Sequence, residues 1–166
     1  MYLKESIWPL IKKQIPDAEM HIYGSYVTEK AMNLHNEKES FLIKGRAENA
    51  NEIIKNARVL LAPIRFGAGL KGKLTDAMQA GTPSVTTTIG AEAMNGNLEW
   101  NGVITDDIQT FANESIALYN NENLWTIAQE NGIKIINCRF NKNIFGLLFI
   151  DKIRLILRYS AFFNYL

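Results

Sequence analysis

Hydrophobic and polar positions change period repeatedly along the chain, and each change marks an element. Leu3, Ile7, Leu10 and Ile11 recur at helical spacing over residues 2–14, and Pro9 predicts a kink or a late start inside that helix. Met20-His21-Ile22-Tyr23 reads as a strand closed by Gly24-Ser25, with a second helix expected over 26–34. After a polar loop over 36–39, Phe41-Leu42-Ile43 is an apolar strand that ends at Lys44-Gly45-Arg46. A helix over 48–56 carries Ala50, Ile53, Ile54 and, just beyond it, Ala57 on one face. Val59-Leu60-Leu61-Ala62 has the continuous apolar character of a strand buried on both sides. Leu70, Leu74, Ala77 and Met78 then fall at i, i+4, i+7 and i+8, one face of a helix. Gly81 stands where a helix-ending glycine belongs, and Pro83 forbids continuation. A strand over 84–87, a loop over 95–102 and the short strand Val103-Ile104-Thr105 follow. Asp106 or Asp107 caps the next helix, which shows Ile108, Phe111, Ala112, Ser115 and Leu118 on its face. A last helix is expected from about 122 to 136.

Short strands alternating with helices predict an α/β fold, a parallel sheet with helices on both faces. Ligands of such sheets bind beyond the carboxyl ends of the strands. Gly24, Gly45, Gly67 and Thr88-Ile89-Gly90 all follow strands, so they converge on one edge. Gly67, Gly69 and Gly72 lie at a helix entrance, where free N–H groups and the positive end of the dipole receive an anion. Lys71 and Lys73 stand in the same turn although cations oppose the dipole there, which predicts a negative ligand. Taken alone, three glycines also fit a plain flexible loop.

Composition narrows the classes. The 166 residues, 47% hydrophobic and 21% charged, suit one ordinary globular domain, and a net charge of +1 offers nothing to nucleic acid. Cys138 is the single cysteine, so no internal disulfide exists and no zinc-type Cys/His spacing occurs; a reducing compartment fits. His21 and His35 are isolated. No apolar run is long enough to span a bilayer, and residues 1–6 lack the layout of a signal peptide. A soluble or surface-bound protein is expected.

The stretch 63–87 resembles the donor-binding segment of family 4 glycosyltransferases, also called group 1. Gly67, Gly69, Lys71, Lys73, Ala77, Gly81, Pro83, Val85 and Thr87 match that pattern in place, with Asp76 where the family has glutamate. The resemblance extends to Ile7-Trp8-Pro9, Ile15-Pro16-Asp17-Ala18 and Gly90-Ala91-Glu92, and covers most of residues 5–120. It implies the Rossmann-like C-terminal half of a GT-B enzyme, which holds a nucleoside diphosphate sugar while an N-terminal half holds the acceptor. Sugar transfer to a glycan or lipid-linked acceptor with retention, as in polysaccharide biosynthesis, is the implied activity. No cofactor or metal is implied.

Residue by residue, the resemblance implies that Gly67, Ala68, Gly69 and Leu70, with Lys71, present the donor phosphate or sugar with backbone N–H groups. Lys71 and Lys73 balance diphosphate charge, and Asp76 accepts the ribose hydroxyls, as an acceptor-only carboxylate can. Lys44, Gly45 and Arg46 pass the base. Two departures stand out. The family's sugar-touching glutamate is replaced by Ala68, and Asp76 is one methylene shorter than glutamate. Arg65 is expected at the rim, and Trp8, Trp100 and Trp125 in packing.

By the same resemblance the chain starts after the family's first strand and lacks the acceptor half, as a fragment, a truncated gene product or one part of a split enzyme. The competing expectation is a non-catalytic nucleotide-binding or structural module that serves a partner half. The expected division is a nucleotide-sugar-binding domain over 1–137 and an apolar, basic helical tail over 138–166. Phe145, Leu148, Phe149, Ile153, Ile156 and Leu157 give that tail an apolar face with Lys142, Lys152, Arg154 and Arg158 beside it. Docking on the missing half and peripheral contact with the inner face of the membrane are its two leading expected uses, with a cytoplasmic location in both.

Overall fold

The computed structural model describes residues 2–140; the expected tail from residue 141 onward lies outside the described residues. A π-helical turn, Leu3–Ile7, passes directly into α1, Trp8–Gln14, with Pro9 in the first turn of α1. Pro9 has no N–H to continue a regular ladder back into the preceding turn, so the helix expected over 2–14 forms in two pieces. β1 (Met20–Tyr23) follows as expected. α2 is only Glu29–Met32, because the Thr28 hydroxyl accepts from the Ala31 N–H and starts the helix late. β2 (Phe41–Gly45) leads to α3 (Ala50–Asn56), whose cap is Asn49: its side-chain oxygen accepts from the Asn51 and Glu52 N–H groups at 3.1 and 3.3 Å.

β3 (Leu60–Ala62), α4 (Gly72–Ala80), β4 (Ser84–Thr86), α5 (Thr88–Ala91), β5 (Gly102–Ile104), α6 (Ile108–Asn120) and α7 (Glu122–Arg139) complete the order. α5 has no counterpart in the sequence reading, since four residues are too few to show a period. Asp107, not Asp106, caps α6, accepting from the Thr110 N–H at 2.8 Å. α7 continues through Arg139, past the expected boundary at 137. α4 ends as predicted. Gly81 adopts φ +75°, its N–H reaches the Met78 carbonyl, and the Thr82 N–H reaches the Ala77 carbonyl, a Schellman arrangement.

Among the described residues all strand pairs are parallel, in two hydrogen-bonded groups, β1-β2 and β3-β4-β5. In the second group Leu61, Val85 and Val103 lie side by side. α1 and α6 share one core with Phe41, Ile43 and Val85, where Ile7, Trp8, Ile11, Phe111 and Ala112 are buried. On the other side Leu74 and Met78 of α4 and Ile135 of α7 pack with Ala62, Met94 and Trp100. Helices therefore cover both faces, as expected of this α/β class.

β4 is the buried centre, and its alternation is unusual. Val85 enters the first core, while Ser84 and Thr86, also fully buried, point to the other. Their hydroxyls are paired: Ser84 Oγ donates to Asn101 Oδ1 at 2.6 Å and Thr86 Oγ1 to the Ala62 carbonyl at 2.8 Å. Trp100 Nε1 donates to Ser84 Oγ at 3.2 Å, and Asn101 Nδ2 donates to the Thr82 carbonyl at 3.1 Å. Trp8 and Trp100 are thus packing residues, as read from the sequence.

Two stability outcomes are expected. Asn101→Ala strands the Ser84 hydroxyl and the Thr82 carbonyl in the core, and should lower unfolding free energy by about 1–3 kcal/mol in urea titration. The Asp107 carboxyl is held below its ordinary value, first by the Thr110 N–H and then by the Thr110 side chain. A depressed folded-state pKa stabilises above the unfolded value and is lost as pH falls through the folded one. Asp107→Ala should therefore lower the melting temperature at neutral pH, and by less once pH falls below the carboxylate range.

Candidate functional site

The carboxyl ends of β3, β4 and β5 are tied to one another by side chains. Thr87 caps α5, accepting from the Gly90 N–H at 3.1 Å, and its hydroxyl donates to the Ile64 carbonyl. Thr86 holds the Ala62 carbonyl in the same way. Asp106, free of the capping role, accepts from the Thr88 N–H and hydroxyl at 3.0 and 2.7 Å and so clasps the loop after β5 to the one after β4. These threonines and Asp106 are site-positioning residues that the sequence reading did not assign. Only the place of Thr87 in the matched pattern and the choice between Asp106 and Asp107 hinted at them.

Residues 63–71 leave this latch as an exposed turn. Gly67 and Gly69 adopt φ +117° and +77°, which side chains disfavour, and so let the chain double back before α4. Lys71 sits at the N-cap of α4 and folds its ammonium onto the turn, donating to the Gly69 carbonyl at 2.6 Å and the Gly67 carbonyl at 3.1 Å. With those carbonyls engaged, the N–H groups of Ala68, Gly69, Leu70 and Lys71 have no acceptor among the described residues. The first N–H groups of α4 add to them, at the positive end of its dipole. The result is an anion-receptive edge.

Lys73 is exposed and unpaired among the described residues. Asp76 is half-buried one turn into α4 and likewise unpaired, so it is not spent on Lys73. Leu70 differs from the sequence reading. It lies before α4 rather than on its buried face and is 52% exposed, because the helix begins only at Gly72. Lys44, Gly45 and Arg46 occupy the carboxyl end of β2, with Gly45 at φ +75° and its carbonyl accepting from the Gly24 N–H at 2.9 Å. No described hydrogen bond or ion pair joins them to the glycine turn. Arg65 stacks its guanidinium over Tyr2 at 5.2 Å, a packing role. Trp125 also packs, donating to the Arg58 carbonyl at 2.7 Å. Glu92 is exposed just past α5 and contributes no contact to the turn.

Among the described residues, no group of three or more His, Cys, Asp or Glu side chains is arranged to hold a metal, and no helix is long and apolar enough to cross a membrane.

Three glycine substitutions separate the latch from the turn. A Cβ on Gly90 would lie 2.0 Å from Thr86 Oγ1, so Gly90→Ala should break the latch and cause the largest loss of stability. Gly69→Ala has open space but a left-handed backbone, a cost of about 1–2 kcal/mol. Gly72→Ala meets no atom within 4 Å and has an ordinary φ, and should be neutral or stabilising. Chemical denaturation of the three variants checks the order.

The sequence profile of the Glycosyl transferases group 1 family matches residues 1–121. No curated protein matches the chain significantly. Among solved structures, the fold is similar to that of a TarM mutant from S. aureus, crystallised in complex with fondaparinux, alpha-GlcNAc-glycerol and UDP. The TM-score is 0.73 at 20% identity, over 90% of this chain and 31% of that one. At that identity the likeness establishes the fold, Rossmann-like α/β of the GT-B type, and the chain spans about a third of the neighbour's length. The profile match, which takes in the glycine turn, α4 and the latch after β4, supplies the family: the chain belongs to the group 1 glycosyltransferases.

Proposed function

We propose that this chain is the donor-binding half of a retaining glycosyltransferase, which takes a nucleoside diphosphate sugar and passes its sugar to a glycan or lipid-linked acceptor held by another half. The observation that carries the proposal is the row of unpaired N–H groups on Ala68, Gly69, Leu70 and Lys71 at the entrance of α4. Diphosphate oxygens would take those groups, with Lys73 beside them. Lys71 would exchange the Gly67 and Gly69 carbonyls for phosphate oxygen. Charge built up on the leaving diphosphate would be stabilised by these donors without a metal. Asp76 would accept ribose hydroxyls, and Lys44, Gly45 and Arg46 would flank the base. Among the described site residues none is a nucleophile set against a base, so catalysis would rest on positioning and leaving-group stabilisation.

A second reading is a nucleotide-binding module that serves a partner half, for which the same row of N–H groups would be the binding feature. The two readings converge on one expectation for the isolated chain, nucleotide binding without sugar transfer. We further propose that the tail over 143–166 docks on the acceptor half and that the protein works in the cytoplasm, at the inner face of the membrane when its acceptor is lipid-linked.

Calorimetry with UDP and GDP against the matching nucleosides tests the donor site. The diphosphates should bind more tightly, and Lys73→Ala should remove much of the difference, a charge-assisted contact being worth ~1.5–3 kcal/mol. Equal affinities for nucleoside and nucleotide would sink the proposal. Asp76→Asn should weaken nucleotide binding with little change in melting temperature. A variant that melts early yet binds normally makes Asp76 structural instead.

A further inference from the structure

β1 and the β3 segment face each other across an open groove of about 720 Å³, while β2 pairs with the other edge of β1. The Rossmann-like fold turns the carboxyl ends of both strand groups to the same side. Along that side the loop after β1 stands between the end of β2, with Lys44, Gly45 and Arg46, and the glycine turn after β3. A nucleoside diphosphate with its phosphates on the turn and its base at the end of β2 must pass over the loop after β1. That loop is tied down at both ends. The Gly24 N–H donates to the Gly45 carbonyl at 2.9 Å, which fixes its start beside the end of β2. Val27 packs against the buried core, and the Thr28 side chain caps α2. Tyr26 lies between these anchors and is 95% exposed, more than any other large hydrophobic side chain among the described residues. Its backbone is at most about 7 Å from that of Gly24, two extended residues away. No described aromatic ring or cation packs on the Tyr26 ring.

We propose that Tyr26 is a stacking platform for the base of the donor nucleotide. The proposal rests on the donor reading and adds to it the group that carries the face of the base, while Lys44, Gly45 and Arg46 meet its edge. Ligand chemistry selects this partner. Phosphates call for N–H donors and positive charge, and ribose hydroxyls call for an acceptor such as Asp76. A phenol ring held out on an anchored loop offers above all an apolar π-face, and the base is the one aromatic part of the ligand. Every base has such a face, so the ring adds affinity for uracil and guanine alike and leaves the choice between them to edge contacts. Phe66, 86% exposed, is the other candidate ring on this side, but it lies in the turn, at the phosphate end of the ligand.

The test titrates the full chain, wild type and variants, with inorganic pyrophosphate, UDP and GDP by calorimetry. Tyr26→Ala should weaken UDP and GDP roughly fivefold or more and leave pyrophosphate affinity and melting temperature unchanged. Tyr26→Phe keeps the π-face and should bind as the wild type does. In NMR spectra the Tyr26 ring protons should move upfield with UDP, under the ring current of a stacked base, and stay in place with pyrophosphate. If neither pyrophosphate nor nucleotide binds, the donor site itself fails and the proposal falls with it. If all three bind and Tyr26→Ala holds UDP and GDP as tightly as the wild type, the stacking alone is overturned and the donor site stands. A loss confined to Phe66→Ala moves the base to the turn and overturns the proposal in the same way. Equal weakening of pyrophosphate and nucleotide by Tyr26→Ala also overturns it, because the ring then acts on the phosphates.

Discussion

Everything at the carboxyl edge of β3, β4 and β5 depends on how β4 buries polar side chains. A strand with parallel neighbours on both sides normally carries apolar residues on both faces. Here Ser84 and Thr86 occupy one face, and each hydroxyl would cost free energy without a partner. Asn101 and the Ala62 carbonyl supply those partners, so burying β4 and joining it to its neighbours are the same event. Close approach enforces the arrangement. A Cβ on Gly102 would lie 2.1 Å from the Ser84 carbonyl oxygen, and one on Gly132 would lie 2.9 Å from the Asn101 Cβ.

The glycine turn inherits its position from that packing. Thr87 holds Ile64, where the turn departs, and the Schellman ending of α4 holds the helix into which the turn runs. Between these two anchors the backbone is free to expose N–H groups, and left-handed Gly67 and Gly69 make the exposure possible. Lys71 has two uses available to it. As found it neutralises inward-facing carbonyls of the turn; the same ammonium is within the turn that an anion would enter.

The open groove between β1 and β3 has a different standing from the glycine turn. The latter is a loop system on a satisfied scaffold. The former is a space between the two strand groups, lined by residues of β1, the β3 segment, α1 and α3. Five short parallel strands thus divide into groups of two and three while the helices still cover both faces.

Local pattern by itself determined the kind and order of the longer elements, because burial of one helical face or of a whole strand leaves its period in the residues. Met20–Tyr23, the Leu74, Ala77 and Met78 face of α4, the Gly81 stop and the Phe111, Ala112, Ser115 and Leu118 face of α6 were all legible in this way. The glycine pattern with Lys71, Lys73 and Pro83 also marked the family, since those residues serve a local backbone conformation. Tertiary structure alone decided the rest. Asp106 and Asp107 are equivalent as caps by sequence, and only the proximity of Thr88 draws Asp106 away. Leu70 fits a helical face by spacing, yet α4 starts beyond it because Lys71 is folded onto the turn. The hydroxyl latch and the open groove join residues far apart in the chain, and no local period records a contact across such a distance.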